Sequence, residues 1–273
     1  MAGQGIDLEA VKQGQQRMWS QGDFSRIATV TQIVAENLCE TADIVPGSRV
    51  LDVACGSGNT AIAAARRFTE VIGIDYVPAL LERARERASA ERLEVDFREG
   101  DAEALKFEDE SFDFVLSTFG AMFAPDHSRT AAELLRVCRS GGKVGMSNWT
   151  PESFVGQVFA TTSSFLFPDG PPPGVQPPPL WGTEQHLRDL FGEGVRELST
   201  EPCEFVFRFH SPEQWGEFFR TYFGPTKVAF EAAGDRADDF AEELLGLARR
   251  FNRAGDRAMV VPAEYVDVVA IKA

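Results

Sequence analysis

The sequence predicts an α/β protein built on a doubly wound, mostly parallel sheet, with an antiparallel last strand, N-terminal helices and a helical insertion before that strand. Three observations predict it. Short apolar runs alternate with helical patterns from residue 49 to residue 149. One run, Val71-Ile72-Gly73-Ile74, is almost wholly apolar, as suits a strand covered on both faces. A glycine-rich turn at 55–59 joins the first strand to the helix after it.

The elements follow in order. Apolar residues at Leu8, Val11, Met18, Ile27, Val30, Ile33, Val34 and Leu38 recur at spacings of three and four, which predicts helix over 7–41, broken in two at Gly22-Asp23. Pro46-Gly47 turns the chain into a strand at 49–54, and the glycine loop leads to a helix at 60–68. Strands are then expected at 70–75, 93–98 and 112–118, with helices at 78–90 and 129–139 between them, a Rossmann-like alternation. Ser140-Gly141-Gly142 turns into a fifth strand at 143–149, and Thr150-Pro151 opens a further helix. The proline-rich run 168–179 suits neither regular helix nor central strand and reads as a semi-rigid connector, with a lid as the other possibility. Beyond it come a helix at 183–191 with Thr183 as N-cap, a strand at 196–209, two helices at 212–223 and 237–251, and a closing strand at 264–271. All 273 residues read as a single domain: an N-terminal helical cap (1–47), a core (48–149), an elaboration (150–258) and the closing strand (259–273).

Composition narrows the function classes. With 44% hydrophobic and 25% charged residues, the chain should fold. Its formal charge of −15 opposes a phosphate backbone, so nucleic acid is a poor partner; Arg66-Arg67 and Arg249-Arg250 lie on helices rich in acids and read as solvated faces. No run is long enough to span a membrane and no signal peptide opens the chain, so a cytoplasmic monomer or homodimer is expected. Cys39, Cys55, Cys138 and Cys203 show neither C-x-x-C pairing nor a nearby histidine at metal spacing; free thiols and no metal are expected.

The densest signal is Val50-Leu51-Asp52-Val53-Ala54-Cys55-Gly56-Ser57-Gly58-Asn59-Thr60. Gly56 and Gly58 permit close backbone approach, and the helix start offers unpaired N–H groups to an anion, either a pyrophosphate or an amino-acid carboxylate. The spacing Gly56, Gly58, Ala61 also fits a dinucleotide fingerprint, and Asp75 at the second strand end suits ribose hydroxyls in either case. Asp52 and Asp101 separate the two. An acid just before the glycines repels a pyrophosphate but attracts an ammonium and a sulfonium, and Asp101, after the third strand, can accept a hydrogen bond from an adenine amino group. Alone, each of the three acids also reads as a cap or turn residue.

These residues resemble the class I S-adenosylmethionine-dependent methyltransferases, in the small-molecule branch similar to the ubiquinone and menaquinone biosynthesis enzymes. The likeness covers residues 48–149 and is carried by Leu51 to Gly58, Gly73-Ile74-Asp75, Gly100-Asp101-Ala102, Phe112-Asp113-Phe114-Val115 and the run from Leu135 to Gly142; Lys106 and Ser140 depart from it where proline is common. The resemblance implies that Ala54, Gly56 and Gly58 approach the methionine end of S-adenosylmethionine and Asp75 its ribose. It also implies that Tyr76 lies against adenine, Asp101 and Ala102 read the adenine edge, and Phe119 sits near the sulfonium.

The implied activity is methyl transfer to O, N or C of a small apolar or aromatic metabolite. An NAD(P)-dependent oxidoreductase and a non-catalytic S-adenosylmethionine-binding module are the alternatives. The crevice beyond the strand ends places Thr118, Phe119, Met122 and Phe123 beside the methyl group. Trp181, Phe207, Phe209, Trp215, Phe218, Phe219, Tyr222 and Phe223 are an aromatic set able to cover an acceptor, or ordinary core at helical spacing. Met122, Phe123, Trp181 and Tyr222 are the expected acceptor contacts. Of the three histidines, His186 reads as surface, His127 as a cap or exposed residue, and His210 as the candidate general base.

Overall fold

Seven strands form one sheet in a computed structural model that describes residues 8–168, 170 and 175–273. The strands are β1 (Arg49–Val53), β2 (Glu70–Asp75), β3 (Asp96–Glu99), β4 (Phe112–Thr118), β5 (Cys138–Trp149), β6 (Val195–Phe209) and β7 (Met259–Lys272), in the order β3-β2-β1-β4-β5-β7-β6. β1 pairs in parallel with β2 and β4, as does β2 with β3 and β4 with β5; β7 runs antiparallel between β5 and β6. The order reverses between β1 and β4, so a crevice opens beyond their carboxyl ends.

Ten α-helices accompany the sheet among the described residues: α1 (Leu8–Trp19), α2 (Phe24–Thr41), α3 (Asn59–Ala65), α4 (Pro78–Ala90), α5 (His127–Val137), α6 (Phe154–Leu166), α7 (Glu184–Phe191), α8 (Pro212–Tyr222), α9 (Gly224–Ala233) and α10 (Ala237–Phe251). The break between α1 and α2 falls at the expected Gly22-Asp23, where Asp23 caps α2 through Ser25 N–H. Three helices, not two, separate β6 from β7. The unforeseen one, α9, starts at Gly224-Pro225, a pair that reads as a break although proline is well suited to the first turn of a helix. α6 begins later than Thr150-Pro151, because Ser153 supplies its cap by accepting from Gly156 N–H.

β7 is also longer than expected. Pro262 cannot donate to a sheet ladder, but pairing with β5 begins only at Tyr265, so Pro262 lies where β7 is flanked by β6 alone. Part of the proline-rich connector, residues 169 and 171–174, lies outside the described residues. Its end is a 3₁₀ turn, Pro178–Gly182, that leads into α7.

Two apolar clusters cover the two faces of the sheet. One joins α2, α3 and α4 to the sheet through Leu81, Ala84, Ile62, Phe97 and Leu116. The other runs without interruption from Leu51, Val115 and Met146 to Phe154, Trp215, Phe240 and Val261, so the helices after β5 share their interior with the strands before it.

Candidate active site

The glycine loop is fixed by bonds made from its own backbone. After β1 the chain takes positive φ at Ala54 (54°), Gly56 (54°) and Gly58 (85°), the last as the N-cap of α3. Cys55 N–H reaches Ile74 O of β2 at 2.8 Å and Gly58 N–H closes on Cys55 O at 2.8 Å. A Cβ on Gly58 would stand 3.0 Å from the Phe97 ring and 3.1 Å from Ala84, so this position admits little beyond glycine. Arg87 fastens the far side by donating to Ser57 O at 2.6 Å and Asn59 Oδ1 at 2.8 Å.

The three acids meet around this loop. Asp75 is buried and accepts from Gly56 N–H at 2.9 Å and Val77 N–H at 2.8 Å; burial pushes its carboxyl up to about 6, and those N–H groups oppose the rise. Asp52 is buried too, and one of its oxygens accepts from Ala61 N–H at 2.8 Å. Its other oxygen, Oδ1, has no partner among the described residues, and burial drives the carboxyl well above its ordinary range, with Asp75 adding to the rise. Asp101 accepts from Glu103 N–H at 2.9 Å and from Lys12 Nζ at 2.7 Å.

Lys12 had no signal in the sequence. It stands on α1 and binds both Asp101 and, at 2.6 Å, the buried Glu103. Gln16, one turn on, donates to Tyr76 O, and Gln15 donates to Phe123 O at 3.0 Å. Trp19 ends the helix edge-on to Phe24, Phe123 and Phe223. α1 is thus a cover fastened across the ends of β2, β3 and β4.

Beneath it lies a cavity of about 310 Å³, within the range of small-ligand sites. Asp52, Ala54, Gly56, Asp75, Tyr76, Asp101 and Ala102 border it, as do Phe119 and Phe123. Phe119 holds φ at 59° just past β4 and stacks on Trp149 with centroids 3.9 Å apart. Two non-glycine residues in left-handed conformation, Ala54 and Phe119, therefore flank the crevice, as strained backbone often flanks a functional site. Gly120 lets the two strand ends meet, since a Cβ there would lie 2.3 Å from Ala54 O.

Five expected positions fall elsewhere. Gly58 does not border the cavity but closes the loop behind it as the N-cap of α3. Met122 is fully buried in the core and does not border the cavity. Trp181 is equally buried, against His127 and Phe191, and does not border the cavity. Tyr222 packs under Arg26 on the outside of α8. His210 is exposed at the entry to α8, its N–H bound to Gln214 Oε1 at 2.8 Å, and no imidazole borders the cavity among the described residues. His127 and His186 are also corrected: His127 is 2% exposed, and its Nδ1 lies 2.9 Å from His186 Nε2. The cavity instead draws on Trp149 and on Phe154, Val158 and Phe159 of α6, whose helical spacing in the sequence is that of any core-facing stripe.

This arrangement can hold a cation and an adenosine group at one end and an apolar partner at the other. A family model described as "Methyltransferase domain" matches residues 50–142. An uncharacterised protein of Mycobacterium tuberculosis is 39% identical over 262 residues, 93% of this chain and 93% of the relative. A demethylmenaquinone methyltransferase of Deinococcus radiodurans is 38% identical over 124 residues, 44% of this chain and 52% of the relative. Among solved structures, the YcgJ protein of Bacillus subtilis shares the fold with a TM-score of 0.61 at 22% identity, covering 87% of this chain and 97% of that one. The chain carries a methyltransferase domain over residues 50–142 and belongs to one family with the mycobacterial protein. The unpartnered Asp52 Oδ1 fits a group that brings an ammonium to the tip of β1, as the methionine end of S-adenosylmethionine would.

Proposed function

We propose that the protein transfers the methyl group of S-adenosylmethionine to O, N or C of a small apolar or aromatic metabolite. The observation that carries this reading is the single cavity that joins the Asp52, Asp75 and Asp101 strand ends to an aromatic wall. At the first end, Asp52 pairs with the ammonium, Gly56 passes close to the methionine end on the turn that Gly58 closes, and Asp75 holds the loop for the ribose. Tyr76 and Ala102 enclose the adenine, with Asp101 at its edge. At the other end, Phe119 and Phe123 stand where the methyl group leaves.

The transfer requires alignment and exclusion of water more than a strong catalyst, and a covered apolar cavity supplies both. Incubation with a radiolabelled methyl donor and a metabolite extract tests it. Label in an organic-soluble small molecule is the expected result; donor binding with no labelled product would favour a non-catalytic binding module.

A further inference from the structure

The titratable groups of the cavity are divided by the sheet. Glu9 and Lys12 stand on α1, and Asp52, Cys55, Asp75, Tyr76 and Asp101 at the ends of β1, β2 and β3. From β4 outward, no described residue bordering the cavity carries an acid, an amine, an imidazole, a thiol or a phenol. That half is built by Trp149, Phe154, Phe159, Phe207, Trp215 and Phe219. The histidines are elsewhere: His127 and His186 are bound to each other, and His210 is in solvent. Asp52, Asp75 and Asp101 are held at the loop, by Gly56, Val77 and Ala61 N–H and by Lys12, and Glu9 lies on α1 three residues before Lys12.

From this we infer that the acceptor half, as the described residues build it, contains no general base, so the acceptor is an aromatic-sized molecule that arrives with its nucleophile already unprotonated, as an acidic phenol-type oxygen does. This rests on the methyl-transfer reading above. In the step, a lone pair of the phenolate oxygen forms the O–CH₃ bond while the CH₃–S bond breaks, its electron pair remaining on sulfur. A sulfonium and an oxyanion become a neutral thioether and a neutral ether, and no proton moves. An aliphatic alcohol, or an aromatic carbon that must shed a proton, would require a base that this wall does not offer. A low-dielectric chamber also favours a reaction in which two opposite charges disappear.

The test uses the whole chain and 4-nitrophenol, whose visible absorbance reports ionisation. Without methyl donor, binding should raise the apparent pKa of the phenol by about one unit or more, because burial with no base favours the neutral form. A lowered value would place a cation or hydrogen-bond donor against the acceptor oxygen and overturn the uncharged wall on which the inference rests. Turnover with a series of para-substituted phenols of graded acidity gives a second readout: the pH profile of kcat/KM should shift with each acceptor's own pKa. A limb at one pH common to all acceptors, methylation of a matched benzyl alcohol at a comparable rate, or no methylation of any activated phenol would contradict it. Calorimetry with S-adenosylmethionine separates the two claims: if the donor does not bind, the methyl-transfer reading itself fails; if it binds and one of these contrary results appears, only the base-free chamber fails.

Discussion

Asp52, Asp75 and Asp101 were legible as residues because each stands at a strand end beside a glycine motif. What each does locally was not legible, since a carboxylate's partners depend on backbone that only the fold brings near. Asp75 is the clearest instance: it fastens the loop through Gly56 and Val77 N–H, whatever it offers a ribose. Asp75→Ala removes both acceptors, and donor affinity should fall by about ten- to a hundredfold in calorimetry, since a buried N–H left unpaired costs on the order of 1–3 kcal/mol. His210 shows the opposite failure. Its place after a strand made it a reasonable base, but the strand runs on past the cavity and leaves it in solvent. His210→Asn should leave kcat/KM within about twofold of the parent; a loss of a hundredfold would place it back in the chemistry.

At the scale of elements, the alternation of strand and helix was readable through β5 because apolar period and glycine punctuation agree there. α9 was missed because Gly224-Pro225 signals a stop and a start alike. The contacts of α1 were missed because they are polar and join residues far apart in the chain, as Lys12 joins Asp101 and Glu103. Lys12→Met leaves Glu103 buried without its cation, so amide exchange in 8–19 should quicken and donor dissociation should accelerate; unchanged exchange would mean that Trp19 and the glutamines hold the helix unaided. The seam between α5 and α7 makes a prediction in pH. Burial, followed by the neighbouring His186, lowers His127 to about 4. The unfolded chain therefore takes up this proton near pH 6.5 while the folded one does not, so the stability His127 contributes is present above pH 6.5 and is lost as pH falls towards 4. Asp52 and Asp75 shift the other way, so the useful quantity is a difference. The stability of the parent relative to His127→Gln, measured by urea denaturation, should drop by on the order of 2–3 kcal/mol between pH 7 and pH 4. A gap independent of pH would mean that the imidazole is already protonated or solvated.

At the scale of the molecule, the sheet class followed from the order of elements, but the acceptor wall did not. Aromatic residues at helical spacing look the same whether they fill a core or line a cavity, and the continuous cluster from Leu51 to Val261 contains both kinds. Trp181 and Met122 fill it, whereas Trp215 and Phe207 both fill it and face the cavity. Phe154, which is 1% exposed and also borders the cavity, should therefore couple folding to acceptor binding. Phe154→Ala should cost about 3–5 kcal/mol of stability and weaken acceptor binding, while donor binding at the other end persists below the unfolding transition.

The central claim is that the loop before α3, with Asp52 ahead of it, selects a methyl sulfonium over a pyrophosphate. Isothermal calorimetry of the whole chain with S-adenosylmethionine, its demethylated product and NAD, repeated on Asp52→Asn, tests it most directly. S-adenosylmethionine and its product should bind one site per chain, NAD should give no heat of binding, and Asp52→Asn should weaken both adenosyl ligands. Binding of NAD alone, or adenosyl affinities indifferent to Asp52, would contradict it.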